Sequence, residues 1–165
     1  MKSLAACLLL SISLAGPAWG APSTPAVDAV RVLKSKRTLQ LLSGGKVVRQ
    51  FKVALGGQPV GPKRREGDMK TPEGHFLLDY KKADSAFHKA IHVSYPGPAD
   101  HARARKAGVS PGGMIMIHGQ KNGYGHLAAL TQRSDWTNGC IALTDADMDA
   151  VWQAVEAGTP IELRP

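Results

Sequence analysis

From residue 29 to residue 57 the chain reads AVRVLKSKRTLQLLSGGKVVRQFKVALGG, with apolar and polar residues alternating at period two and Gly44-Gly45 near the middle. Successive side chains of a strand point to opposite faces of its sheet, so this alternation is the mark of strands buried on one side only. A Gly-Gly pair between two such runs supplies the positive φ values that a tight hairpin turn needs. Two or three antiparallel strands are therefore predicted for this stretch. The remainder continues the theme. QPVGPKRREGDMKTPEG (58–74) has no periodicity and is dense in Gly, Pro and charge, which predicts a long loop. HFLLDYKK (75–82) and KAIHVSYP (89–96) read as further strands. ADHARARK, stopping at Gly108, reads as a short helix. GGMIMIHG (112–119) is an apolar run too short for a helix, and fits a central buried strand that delivers His118 to its end. CIAL (140–143) resumes as a strand, Thr144 caps a helix expected to close at Gly158, and TPIEL (159–163) is a last strand. The expected fold is mainly β with one or two helices, a sandwich or partly open barrel forming one domain.

The first twenty residues, MKSLAACLLLSISLAGPAWG, carry Lys2, an apolar run and a small-x-small ending at Ala18-Trp19-Gly20, which reads as a secretory signal peptide over 1–20. The apolar run is well short of the roughly 20 residues that span a bilayer, so no stable membrane insertion is expected, and the mature protein should be exported to the periplasm or cell envelope. In Leu4-Ala-Ala-Cys7 the apolar region follows the cysteine, the reverse of the order a lipoprotein signal needs. Removing the leader removes Cys7, so Cys140 is left as a single thiol, which excludes a disulfide framework. The formal charge of the chain is +8, of which the leader carries only Lys2, and this points to an anionic partner. Aromatics are 5% of residues and do not interleave with the basic ones, so a nucleic-acid platform is not indicated. The basic stretches KSKR (34–37) and PKRRE (62–66) are expected to be solvated surface. The glycines of GQKNGYG and GGQPVG lack phosphate-loop spacing. His88 and His92 fall four apart on an apparent strand, where such a pair does not converge, so neither a metal nor any cofactor is expected.

A lone cysteine is by default a packing residue. Cys140, however, ends the turn Thr137-Asn138-Gly139, and His118 ends a buried strand beside Gly119. A thiol with a pKa near 8.5 needs a base or a positive charge to act as a nucleophile, and His118 is the best placed candidate. Gly139 allows a tight turn that could aim the amides of residues 139 and 140 at an oxyanion. Trp136 is expected to be half-buried beside the nucleophile and to shape a groove, and His92 and Tyr95 are candidate pocket residues; His126 and His92 are the next candidates for the base.

The order His118-Gly119, seventeen residues, then TNGC resembles the signature of the L,D-transpeptidase catalytic domain, the YkuD family. TPEGHF and PGGMIMIHG are similar to the family's strand-entry and histidine-strand motifs, and the resemblance runs over residues 26–164. It implies a β-sandwich enzyme, acting as a monomer on peptidoglycan stem peptides. Cys140 would attack the carbonyl of meso-diaminopimelate and His118 would be the base, held by a backbone carbonyl. Thr137 would stand at the family's Ser/Thr, with Gly119 and Gly139 as supports and backbone donors at the oxyanion. Asn138 stands where members usually carry His, and Ala142 where they carry Arg or Asn. DWTNGCIAL, together with AIHVSYPGPAD upstream, resembles more closely a branch that includes an amidase releasing murein-linked lipoprotein, so that a hydrolase is the alternative to a transferase. A catalytically silent envelope-binding module is the third reading, against which the retention of both Cys140 and His118 argues.

Overall fold

The computed structural model describes residues 25–165; the expected leader at 1–20 lies outside the described residues. The strands are β1 (Ala29–Leu33), β2 (Thr38–Ser43), β3 (Lys46–Lys52), β4 (Gly74–Lys82), β5 (Ala90–Val93), β6 (Met116–His118), β7 (Ile141–Ala142) and β8 (Thr159–Arg164). The helices are α1 (Pro98–Lys106), the single turn α2 (Ala128–Thr131) and α3 (Asp145–Ala154). The hairpin at Gly44-Gly45 forms as expected, with φ values of 55° and 76°.

All eight strands make one sheet in the order β3-β2-β1-β8-β4-β5-β6-β7. The pairs are antiparallel except β1 with β8 and β6 with β7. The sheet curls until its two edges meet, because the chain leaving β3 runs alongside β7: Ala54 N–H donates to Ala142 O at 2.9 Å and Ala142 N–H to Ala54 O at 2.8 Å. The curl encloses the inward residues of the alternating strands, among them Val30, Val32, Leu39, Leu41, Ile117 and Ile161, all at most 1% exposed. Each such side chain contributes about 1.5–3 kcal/mol on burial. Among the described residues no helix is long and apolar enough to cross a membrane.

Helix α3 starts where expected, Thr144 Oγ1 accepting from Asp147 N–H at 3.1 Å, and packs Met148 and Val151 into the core. It stops at Ala154 rather than at Gly158. Val155 takes an extended conformation and is fully buried, so a β-branched side chain drawn into the core ends the helix early. Gly158, at φ 91°, instead turns the chain into β8.

The two basic stretches do not behave as solvated surface throughout. Lys34 is 2% exposed, and its Nζ donates to Gly61 O (2.8 Å), Thr71 O (3.0 Å) and Glu73 Oε1 (2.7 Å). Burial lowers its pKa, and the Glu73 carboxylate opposes that shift. Lys63 is 3% exposed and donates to Arg65 O at 3.0 Å and Asp68 Oδ1 at 2.8 Å. Loop 58–73 is too rich in Gly and Pro to bury its own core, and these two ammonium groups tie its carbonyls inward instead.

Asp68 organises the far end of that loop, accepting from the backbone N–H groups of Arg64, Arg65 and Lys70 at 2.7, 3.0 and 3.1 Å. Burial pushes its carboxyl up, but these bonds and the Lys63 ammonium outweigh burial and bring it down to about 2. A carboxyl lowered in the folded state stabilises fully above its unfolded pKa near 3.9 and loses that contribution as pH falls through the folded value, here roughly 2 kcal/mol between about pH 4 and pH 2. Asp68→Asn should therefore lower stability at pH 7 and flatten the acid limb of the stability curve, measured by urea unfolding across pH. An acid limb that superimposes on the parent's would contradict this.

Candidate active site

Strands β6 and β7 run parallel with Ile117 opposite Ile141 and His118 opposite Ala142. Cys140, one residue before β7, thus lies in line with Met116, and residues two apart on a strand share a face. This register brings His118 and Cys140 to the same side of adjacent strands, where both line one cavity of about 350 Å³. Its other walls are Lys82, Ser85, Ala86, Phe87 and Ala90 from the β4–β5 hairpin, Met114 and Met116 from the histidine strand, and Trp136, Thr137 and Asn138 from the cysteine turn.

His118 is 4% exposed, and its Nδ1 donates to Gly119 O at 2.6 Å. Since a carbonyl only accepts, the proton sits on Nδ1 and the lone pair on Nε2. Phe87 and Trp136 hold the ring, with centroids 4.7 and 5.8 Å from it. Trp136 is partly buried, and its Nε1 has no partner among the described residues. Gly119 N–H donates to Phe87 O at 3.1 Å. A Cβ at Gly119 would sit 2.6 Å from Asp145 Oδ1 and 2.8 Å from His88 Cβ, so any larger residue would have to displace its neighbours.

The cysteine turn is closed by Thr137, whose Oγ1 donates to Cys140 O at 2.8 Å and accepts from Gly139 N–H at 3.1 Å. The expected pair of oxyanion donors is thereby reduced: the Gly139 amide is taken by Thr137, and the Cys140 amide is the remaining one of the two. Gly139 earns its place by conformation, with φ 126° and Lys70 O 2.6 Å from where a Cβ would be. The Cys140 thiol donates to Met114 O at 3.7 Å. Burial raises the Cys140 pKa, against the Met116 backbone hydrogen bond and the charge of Lys63, and burial lowers that of His118, against its bond to Gly119. Both shifts favour the neutral thiol and the neutral imidazole over the ion pair.

Residues that sequence reasoning passed over complete the site. Asp135 accepts from Leu55 N–H at 2.9 Å and from Arg37 Nη2 at 2.6 Å, which fixes the entry to the turn. Thr137 N–H donates to Leu55 O and Gly57 N–H to Thr137 O, seating the turn on the segment after β3. Asp145 accepts from Gln120 N–H at 2.7 Å just beyond the histidine, and Gln120 Nε2 donates to Leu143 O at 2.6 Å. Asp-x-Thr-Asn-Gly-Cys is a visible motif, whereas the Asp145 and Gln120 contacts depend on register and have no local signal.

Three expected residues lie elsewhere. His92 Nδ1 is 2.7 Å from Asp79 Oδ1 and its ring stacks on Tyr80, while Tyr95 donates its hydroxyl to Pro111 O at 3.0 Å, with burial pushing its pKa up to about 12. Neither lines the cavity: His92 shares the face of β5 that carries Ala90 but sits two residues further along, against Asp79, and Tyr95 lies past the end of β5. His126 is exposed in the 3-10 turn Gly125–Leu127 and is also outside the lining. His88 bonds Asp149 rather than joining His92. Ala142 is fully buried against Ala54, and Asn138 is exposed at the cavity wall.

A family model described as the L,D-transpeptidase catalytic domain, YkuD, matches residues 27–163. The chain is 27% identical over 170 residues to YafK, a candidate L,D-transpeptidase of Escherichia coli (strain K12), the match covering 92% of this chain and 61% of that protein. In fold it is similar to the helical cell shape determining protein Pgp2 of Campylobacter jejuni, at 24% identity and a TM-score of 0.61 over 84% of this chain and 48% of that one. It is also similar to an L,D-transpeptidase of Mycobacterium smegmatis, at 15% identity and a TM-score of 0.55 over 83% and 58% of the two chains. The chain thus spans about half to three-fifths of the length of these relatives.

Proposed function

The chain belongs to the YkuD family of L,D-transpeptidase catalytic domains, and from that premise we propose that it is an exported, cysteine-dependent L,D-transpeptidase of peptidoglycan stem peptides. The observation that carries the proposal is the meeting of Cys140 and His118 in one cavity, with the histidine tautomer set so that Nε2 can accept a proton.

Cys140 Sγ attacks the carbonyl of meso-diaminopimelate in the donor stem as its proton passes to His118 Nε2. The neutral resting pair makes this a general-base step in which charge develops only with the attack. The Cys140 amide stabilises the oxyanion. Collapse breaks the C–N bond, His118 returns the proton to the departing D-Ala amine, and a thioester on Cys140 remains. The amine of a second stem then attacks the thioester, giving its proton to His118. The C–S bond breaks and sulfur regains the proton. If water replaces the amine, the same residues act as a hydrolase, for instance in releasing a murein-linked lipoprotein.

Mass spectrometry of products from tetrapeptide muropeptides and from lipoprotein-linked muropeptides distinguishes these outcomes. New 3-3 cross-linked dimers are expected. Accumulation of tripeptide or of a released lipoprotein fragment, with water-derived oxygen in the new carboxylate and no dimers, would replace the transferase reading with the hydrolase one.

The pH dependence follows from His118. Its pKa is lowered from the ordinary value near 6.5, so the imidazole is neutral throughout the neutral range, and kcat/KM should fall only at a pH below 6.5. His118→Ala should cost about 10²- to 10⁴-fold in kcat and remove that acid limb. An acid limb unchanged in the variant would place the base elsewhere.

A further inference from the structure

Four residues form one row across the sheet. Lys82 pairs with Ala90 between β4 and β5, Ala90 with His118 between β5 and β6, and His118 with Ala142 between β6 and β7. Directly paired residues project to the same face, so the Lys82 side chain rises on the side of the sheet that carries His118 and Cys140. Two strand spacings separate Lys82 from His118, about 10 Å, and a lysine stem reaches roughly 6 Å, so an ammonium turned over Ala90 would come within a substrate group's length of the imidazole. Ala90 is 2% exposed and carries only a methyl group, so the space between cation and base is left open as cavity.

Of the residues lining that cavity, Lys82 is the one with a permanent charge, the rest being apolar or neutral polar groups. Its side chain is 43% exposed, and its partner is Asp84 at 2.9 Å, itself 86% exposed. An ion pair between groups this open contributes little and is readily exchanged for another carboxylate. The hairpin that holds Lys82 is nonetheless fixed. Asn122 Oδ1 accepts from His88 N–H at 2.7 Å, its Nδ2 donates to Ser85 O at 3.0 Å, and its own N–H donates to Ala86 O at 3.0 Å. At the other end of the row Ala142 is buried and without charge, so no cation reaches the cavity from β7.

We propose that Lys82 is the residue of this site that recognises a carboxylate of the donor stem peptide, exchanging Asp84 for it and holding the scissile carbonyl between Cys140 and His118. The proposal rests on the peptidoglycan reading above and names the group through which that substrate is selected. On the two residues either side of the scissile bond, two carboxylates offer the same chemistry: the C-terminal one on the leaving residue and the side-chain one of the diamino acid. A charge-assisted bond at a half-exposed lysine corresponds to roughly three- to tenfold in affinity.

The test is equilibrium binding of disaccharide-tetrapeptide to the Cys140→Ala protein, which does not turn over, by calorimetry. Three peptides are compared: the free acid, the C-terminal amide, and the amide of the diamino acid's side-chain carboxylate. The free acid should bind three- to tenfold more tightly than whichever amide removes the recognised carboxylate, and that identifies its source. The preference should vanish in Cys140→Ala/Lys82→Gln, persist in Cys140→Ala/Lys82→Arg, and grow in Cys140→Ala/Asp84→Asn, where the competing carboxylate is gone. A preference that survives Lys82→Gln undiminished would overturn the role of Lys82 while leaving the substrate reading intact. Failure of all three peptides to bind the Cys140→Ala protein would overturn both.

Discussion

Cys140→Ser is expected to fold and to turn over peptidoglycan stems at least on the order of 10³-fold more slowly than the parent, since the residues of such a unit act together and loss of the nucleophile removes most of its effect. The fold should tolerate the change because the thiol's hydrogen bond to Met114 O is long, at 3.7 Å, and a hydroxyl is smaller than a thiol. The turn does not depend on sulfur. Thr137 closes it through the Cys140 carbonyl and the Gly139 amide, and Asp135 anchors its entry through Leu55 N–H. Serine lacks the polarisable sulfur and, beside a histidine oriented only by a backbone carbonyl, has no carboxylate to stabilise a developing imidazolium. The measurement is product formation from tetrapeptide muropeptides with circular dichroism on the same sample. Turnover within tenfold of the parent, by a folded variant, would remove Cys140 from the mechanism.

The largest stability effect is expected at Lys34. Its ammonium satisfies two carbonyls of loop 58–73 and the Glu73 carboxylate while itself 2% exposed. Lys34→Met keeps the length of the side chain and removes the charge, leaving Glu73 and the carbonyls of Gly61 and Thr71 without it. Breaking one half of such a buried pair costs about 3–5 kcal/mol. For a domain of this size that corresponds to a fall in Tm of roughly 10 °C or more. The loss should include activity, because Thr71 Oγ1 accepts from Gly56 N–H and Lys70 O packs on Gly139, so the loop is the outer support of the cysteine turn. Adding Glu73→Leu to Lys34→Met should recover much of the stability, since no uncompensated carboxylate then remains. A single variant within 1 kcal/mol of the parent by urea unfolding would show that the ammonium contributes little.

How much of this could be read without coordinates differs from residue to residue. The strands that alternate at period two, the Gly44-Gly45 turn and the Thr144 cap are local features, and the structure has them where the pattern places them. His118 and Cys140 stood out as candidates because each sits beside glycine at an element edge. That they share a cavity depends on the parallel register of β6 with β7, which is set by the whole sheet. The same dependence hid Lys82, which looks like the end of an ordinary amphipathic strand until two further registers place it in a row with His118. Lys34 and Lys63 were hidden for another reason. A run of basic residues is normally solvated, and only the folding of a Gly- and Pro-rich loop over them makes them internal donors. His92 and Tyr95 were misplaced by proximity in sequence to the histidine strand, since His92 lies two residues beyond Ala90 along β5, where it meets Asp79, and Tyr95 lies past the end of the strand, where it meets Pro111.

The central claim, that Cys140 carries the acyl group of a peptidoglycan stem, is tested most directly by intact-protein mass spectrometry after rapid mixing with tetrapeptide muropeptide and acid quenching. The account predicts an adduct equal to the stem lacking its terminal D-Ala, located by peptide mapping to Cys140 and released by hydroxylamine as a thioester should be. No adduct on a parent enzyme that converts the substrate, or an adduct retained in Cys140→Ser at any other residue, would contradict it.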